Sequence, residues 1–291
     1  YKTVGMCLDL GIGQRAMEFS YNDKHKLIAL SVIKQLYFYY QPKDWFKVTV
    51  GSWATHVGYE LLDPQLNQNY SMGYMFTNGP FFHTGLKLEF FKGIHSFMVG
   101  VSNPNDYKYV PANALQHKSA IAQYSVVVNP HLSIYLNYVG GQSLDTLLSN
   151  QIDLVVASQV TDQINLGFNA TVDIVDDRPF KPFMVTTKYW YGQALYFKYM
   201  PKPWGGIALR LEHFGDPDQL KVLSSAAVGG HVYEATLSAN FKVYGLTGSP
   251  ELRWDGGSQE IFTTKDGSGT KYNASFLVAA IYNFSVQPKL R

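Results

Sequence analysis

Cysteine is almost missing from this chain, and the single Cys7 excludes an internal disulfide. One thiol says little about redox compartment and reads as a small strand residue. Charge is sparse as well: 16% of residues are Asp, Glu, Lys or Arg, and the formal net charge is +2. That balance implies no strongly acidic or basic partner, and no Lys/Arg run marks a nucleic-acid patch. No stretch approaches the ~18 consecutive apolar residues of a membrane helix. Helical spans are therefore excluded. Spanning strands are not, because they are short and alternate in polarity, so that a mean hydropathy of −0.12 hides them. The chain opens on Tyr1-Lys2-Thr3 with no visible signal segment. It reads as a mature or truncated chain, with one or more N-terminal strands expected ahead of it.

Catalytic punctuation is lacking too. There is no H-E-x-x-H, no G-x-S-x-G, no P-loop and no paired cysteine for zinc. Gly11-Ile12-Gly13 lacks the third glycine and the βαβ setting of a dinucleotide site. No enzyme activity and no cofactor are expected. The acidic pairs Asp176-Asp177 and Asp216-Pro217-Asp218 are candidates for Ca²⁺ in loops, and are more ordinarily solvated.

What is plentiful is aromatic residues, 15% of the chain, with 21 Tyr and 18 Phe. Plentiful also is period-two patterning, the mark of a strand with two unlike faces. From Gln163 to Ile174, Ile164, Leu166, Phe168, Ala170, Val172 and Ile174 fall on one face; Gln163, Asn165, Gly167, Asn169, Thr171 and Asp173 fall on the other. Twelve residues is long for a globular strand and suits a tilted strand crossing a bilayer, which needs ~9–11. Fourteen strands are expected, at roughly 2–10, 27–40, 45–53, 81–91, 94–102, 119–129, 131–140, 151–160, 163–175, 184–200, 204–213, 231–242, 246–254 and 273–284.

The links between them alternate. After each even-numbered strand the link is short, from Gln41-Pro42-Lys43-Asp44 to Val243-Tyr244-Gly245. After each odd-numbered strand it is longer: 11–26, 54–80, 103–118, 141–150, 176–183, 214–230 and 255–272. Outer-membrane barrels place short turns at the periplasmic rim and long loops outside. The expected fold is thus an all-β, transmembrane, antiparallel up-and-down β-barrel forming a single domain over 1–291. It is placed in a Gram-negative outer membrane, with outer-membrane lipid as a partner and no nucleic acid.

Charge placement agrees. A Lys or Arg facing lipid at mid-bilayer costs ~2–4 kcal/mol, so strand charges belong on the lumen face. Lys87 and Glu89 alternate with Leu86, Leu88 and Phe90; Arg210 and Glu212 alternate with Leu209 and Leu211. The expected lumen carries Lys47, Lys87, Lys188, Lys198, Arg210, Lys242 and Arg253 against Glu89, Asp153, Asp173, Glu212, Glu234 and Glu251. Those totals express no ion preference. Aromatics near strand ends, such as Tyr37-Phe38-Tyr39-Tyr40 and Trp45-Phe46, suit the headgroup level.

One run is more specific: Ile33-Lys34-Gln35-Leu36-Tyr37, Val50-Gly51-Ser52-Trp53, Val57-Gly58-Tyr59-Glu60, Asn69-Tyr70-Ser71 and Pro80-Phe81-Phe82-His83-Thr84-Gly85. Near the end stand Glu251-Leu252-Arg253-Trp254-Asp255 and a strand closing on Ile281-Tyr282-Asn283-Phe284. This resembles the OmpL-like β-barrel porins of Bacteroidetes, most densely over 33–85 and 246–284. The resemblance implies a porin, and implies one or two strands ahead of Leu8-Asp9-Leu10-Gly11, sixteen in all. Ser285 to Arg291 depart from it by running past the closing aromatic, and suit a short periplasmic tail.

The longest loop, 54–80, holds His56, Tyr59, Glu60, Asp63, Asn67, Asn69 and Tyr70. This polar and aromatic mixture suits a loop folded into the lumen as a constriction, while an exposed cap is the plainer alternative. The expected function is passive diffusion of small hydrophilic solutes. The alternative is a structural subunit with a plugged lumen in a larger outer-membrane complex. Further copies of the chain, or other outer-membrane proteins, are open as partners.

Overall fold

A computed structural model describes residues 3–16, 32–143, 147–176 and 187–286. Strands β1 (Val4–Leu10), β2 (Ile33–Lys43), β3 (Phe46–Ala54), β4 (Phe82–Lys92), β5 (His95–Ser102), β6 (Ser119–Asn129) and β7 (Leu132–Gln142) are followed by β8 (Leu148–Gln159), β9 (Ile164–Asp176), β10 (Thr187–Lys202), β11 (Gly205–Asp216), β12 (Gly230–Val243) and β13 (Leu246–Gly257). A two-residue hairpin, β14 (Phe262–Thr263) with β15 (Gly269–Thr270), precedes β16 (Tyr272–Tyr282). All but the small hairpin form one 14-stranded antiparallel sheet in sequence order, from β1 to β16. This is the up-and-down sheet of an outer-membrane barrel.

The polarity is inside-out relative to a water-soluble protein. On β12, Glu234, Thr236 and Ser238 are at most 3% exposed, while Tyr233, Leu237 and Phe241 are 46–54% exposed. On β13, Ser249, Glu251 and Asp255 are buried between the exposed Leu252 and Trp254. A period of two can deliver these faces only if the exposed face meets hydrocarbon. Outward aromatics gather at two levels. Phe38, Tyr40, Trp45, Tyr199, Trp204 and Tyr282 lie toward the short turns, and Tyr189, Tyr233, Trp254 and Tyr272 lie toward the long loops.

The links alternate as expected, with the largest narrowing between β7 and β8. β7 and β8 extend further than their patterning indicates, so their loop shrinks from 141–150 to 143–147. Glycines at 140 and 141 pair across to Asn150 and Ser149 there, and their lack of alternating side chains concealed the strand. The β14–β15 hairpin inside 255–272 was also hidden, since two-residue strands carry no periodicity. The expected beginnings of the second and tenth strands, Asp177 and Pro288 lie outside the described residues. Asp216 accepts backbone N–H groups of Leu220, Lys221 and Leu223 and so staples its own loop, while Asp218 accepts that of Tyr189 and ties the loop to β10.

No conventional core lies between layers. Two apolar clusters sit instead inside the lumen. One joins Met75 to Trp190, Ala194, Tyr196, Phe214, Leu223 and Val232, and the other joins Val57 to Trp53, Met98, Ile121 and Val139. Met75 and Val57 belong to the same loop, the one between β3 and β4. That loop is the central filling of the sheet.

Candidate functional site

The β3–β4 loop contains a 3-10 turn at Pro64–Leu66 and a one-turn helix, α1 (Tyr74–Asn78). A loop inside a lumen has no ladder for its backbone, and buried N–H and C=O groups must find partners. Wall side chains provide them on three sides.

On the β6–β10 side, His56 Nε2 lies 3.1 Å from the carbonyl of Tyr138, and Gln123 donates to the carbonyl of His56. The N–H of Gly58 donates to Asp153 at 3.0 Å, and that of Tyr59 to Asn169 at 3.3 Å. Asp153 also accepts from Asn137 and Asn169, at 2.7 and 2.5 Å. The Tyr59 ring stacks on Tyr196 with centroids 4.2 Å apart. Gly58 has φ +94°, a left-handed turn that glycine adopts without steric penalty. Asp173 accepts from Ser149 and from the indole of Trp190.

On the β11–β13 side the latch is built of charge. Register places Glu212, Glu234 and Asp255 directly abreast on neighbouring strands, and Arg210, Thr236 and Arg253 abreast in the next lumen row. Like charges opposite one another destabilise a sheet. Here the loop and the arginine row compensate. Glu212 accepts the N–H of Tyr74 at 2.7 Å and of Met75 at 2.6 Å. Glu251 accepts those of Tyr70 and Ser71, at 2.8 and 3.1 Å, together with the Ser238 hydroxyl. Arg210, fully buried, pairs with Glu60 of the loop and Glu234 of the wall, and donates to the carbonyl of Ser71. Arg253 donates to the carbonyl of Met72 and pairs with Asp255, which also accepts from the Tyr74 hydroxyl. Asn69 donates to Ser238. Such charge-assisted bonds are about twice as strong as neutral ones. A Cβ on Gly73 would lie 2.3 Å from a Glu212 oxygen, so only glycine admits this approach.

On the β1–β2 side, Lys34 bridges Asp63 of the loop at 2.5 Å and Asp9 of the wall at 2.8 Å. Arg15 donates to the carbonyls of Leu62 and Tyr70. Asn67 closes the turn, accepting from the Leu61 N–H and donating to its carbonyl.

The expected loop residues His56, Tyr59, Glu60, Asp63, Asn67, Asn69 and Tyr70 thus all lie within the lumen or on the latch. Of the expected wall residues, Asp153, Arg210, Glu212, Glu251 and Arg253 bind the loop directly, and Glu234 acts through Arg210. Lys47 and Lys87 lie apart, both paired with Glu89. Lys188 sits exposed near the long-loop end of β10, and Lys242 near the short-turn end of β12. Sequence reading did not find Arg15 and Lys34 as anchors, nor that wall carboxylates would bind loop backbone, because backbone acceptors leave no pattern. Burial holds the His56 imidazole at a pKa of about 4, with Lys87 repelling its proton further.

Cavities flank the loop. One of about 380 Å³ lies between His56, Tyr59, Leu66 and the walls at Gln123, Asn137 and Tyr196. One of about 400 Å³ lies on the long-loop side, between Asn78, Asp106, Gln151 and Lys221. In that vestibule Asp106 accepts the N–H groups of Phe81 and Phe82, and burial raises its carboxyl to about 6.

Among solved structures the chain is similar to OmpT, an outer membrane protein of Vibrio cholerae, with 10% identity and a TM-score of 0.55 over 85% of this chain and 88% of that one. It is also similar to a porin refined at 1.8 Å resolution, with 11% identity and a TM-score of 0.50 over 84% and 80%. At such identities the likeness shows the fold alone. No curated protein matches the sequence. The family model described as "Putative beta-barrel porin-2, OmpL-like" matches residues 1–284. The chain belongs to this family of OmpL-like outer-membrane β-barrel porins.

Proposed function

We propose that the protein is a non-enzymatic outer-membrane channel through which small hydrophilic solutes diffuse passively. In this reading the long loops face outside, the short turns face the periplasm, and the β3–β4 loop is the constriction. His56, Tyr59, Glu60, Asp63, Asn67, Asn69 and Tyr70 narrow the passage. Lys47, Lys87, Glu89, Asp153, Asp173, Lys188, Arg210, Glu212, Glu234, Lys242, Glu251 and Arg253 form the polar wall. The observation that carries this is the latch. A loop bound on three walls, with a cavity on either side of it, has the form of a fixed narrowing. A sheet this wide otherwise leaves an aqueous interior.

A second reading, a plugged structural subunit, draws on one fact: the two cavities share no lining residue. Single-channel conductance in a planar bilayer separates the two. Discrete, long-lived steps from detergent-folded protein are expected. An inserted, folded barrel that stays silent would favour the plugged subunit.

A further inference from the structure

The lumen charges do not balance once each is assigned its partner. Every lumen carboxylate at the latch is occupied by arginine, backbone N–H or amide donors, as described above. Glu89 is occupied by Lys47 and Lys87, and by the Thr49 hydroxyl. Lys198 of β10 and Lys242 of β12 are different. Their side chains form no ion pair or hydrogen bond with the described residues.

Both line one cavity of about 70 Å³ beneath the deep turn of the loop, Pro64 to Tyr70. Its other walls include Asn240, Thr247 and Ser249, with no carboxylate. The strand between the two lysines, β11, presents Gly206 and Ala208 to this side, and the Met200 thioether, which also lines the cavity, covers Gly206. Ser249 is 1% exposed, and its hydroxyl has no hydrogen-bond partner. Buried hydroxyls are rarely left unpaired. The nearest acid along β13, Glu251, already accepts Tyr70, Ser71 and Ser238.

We propose that Lys198, Lys242 and the Ser249 hydroxyl form an oxyanion station that biases the channel toward small anions bearing a phosphate- or sulfate-like group. The inference rests on the channel reading for its role in transport, though not for binding itself. An ammonium offers three donors and no acceptor, and lysine serves as a point-charge ligand for such groups. Two ammonium groups facing one cavity repel each other, and an anion between them removes that repulsion. The even-handed charge total of the sequence therefore does not describe what a passing ion meets.

The test has two arms, both at low salt, since Debye screening weakens exposed charges. In the first, inorganic sulfate or phosphate is titrated into detergent-folded protein by calorimetry. Saturable binding is expected, weakened about tenfold or more in Lys198→Gln/Lys242→Gln and retained in Lys198→Arg/Lys242→Arg. In the second, reversal potentials are read under a KCl gradient. An anion-side potential is expected, moving toward the cation side in the glutamine variant and unmoved by Lys265→Gln, whose lysine is exposed in the β14–β15 turn. Absence of saturable binding, or binding indifferent to the double substitution, overturns the station. A conducting channel with no anion bias refutes its role in transport and leaves the channel reading intact. A silent protein whose binding still depends on both lysines refutes the channel reading and upholds the station.

Discussion

At the scale of single residues, the latch turns on groups that are buried and committed. Arg210 neutralises Glu60 and Glu234 at once. Removing one partner of a buried ion pair typically costs about 3–5 kcal/mol, because the remaining charge stays buried without compensation. Arg210→Met is therefore expected to release the loop while leaving the barrel assembled. Proteolysis of the 54–80 segment and a larger, noisier conductance would register this, and unchanged proteolysis would contradict it. His56 makes the latch sensitive to acid. Its docked imidazole takes up a proton only near pH 4, whereas a released one does so near 6.5. Between those values the released loop holds more protons, so docking is at full strength above about pH 6.5 and weakens as pH falls toward 4. Conductance is expected to rise across that window. His56→Gln keeps a donor for the Tyr138 carbonyl without titrating, and should flatten the rise.

At the scale of elements, the loop and the strands obey different constraints. Strands satisfy their own backbones, so their side chains are free to sort by solvent. The loop satisfies its backbone through wall side chains, so it lies wherever those side chains converge. Deleting 61–70 removes the deep turn together with the Lys34–Asp63 bridge and the Asn69 contact. A several-fold higher conductance is expected, with heat-modifiable gel migration preserved; a conductance equal to that of the full chain would show that the turn does not limit flow. On the strands, Leu237 faces lipid beside the buried Thr236 and Ser238. Leu237→Arg is expected to lower stability by ~2–4 kcal/mol near the midplane and less toward a rim. Denaturant-driven unfolding from lipid vesicles reads this directly, and a loss near zero would place Leu237 away from hydrocarbon.

At the scale of the whole molecule, the lumen is an interior crossed by the longest loop. Its apolar clusters lie between loop and wall, and its carboxylates act as acceptors for a chain that crosses it. A loop latched across the lumen has consequences for folding order. The latch joins residues more than 130 positions apart, as with Tyr74 and Glu212 or Ser71 and Glu251. Contacts of such separation form late, because loop closure is unfavourable until the walls exist. Loop protection in hydrogen exchange is accordingly expected to appear after the strands are protected during refolding. Simultaneous protection would mean that the loop takes part in building the barrel.

The sequence by itself determined the strands, their two faces, the alternation of link lengths and the membrane setting. All of these are local: a period of two and a turn are written within a dozen residues, as in Gln163 to Ile174. It also pointed to 54–80 as the segment that enters the lumen, from its length and polar–aromatic composition. Only the tertiary structure decided what that segment binds. Glu212 and Arg253 read along the chain as ordinary lumen charges, and which of them meets a loop amide depends on register across several strands. The same holds for Lys198 and Lys242, 44 positions apart in the chain and brought to one cavity only by the pairing of β10, β11 and β12. Charge totals are additive along a sequence, but charge partners are set by distance in space, and the register of the paired strands sets those distances.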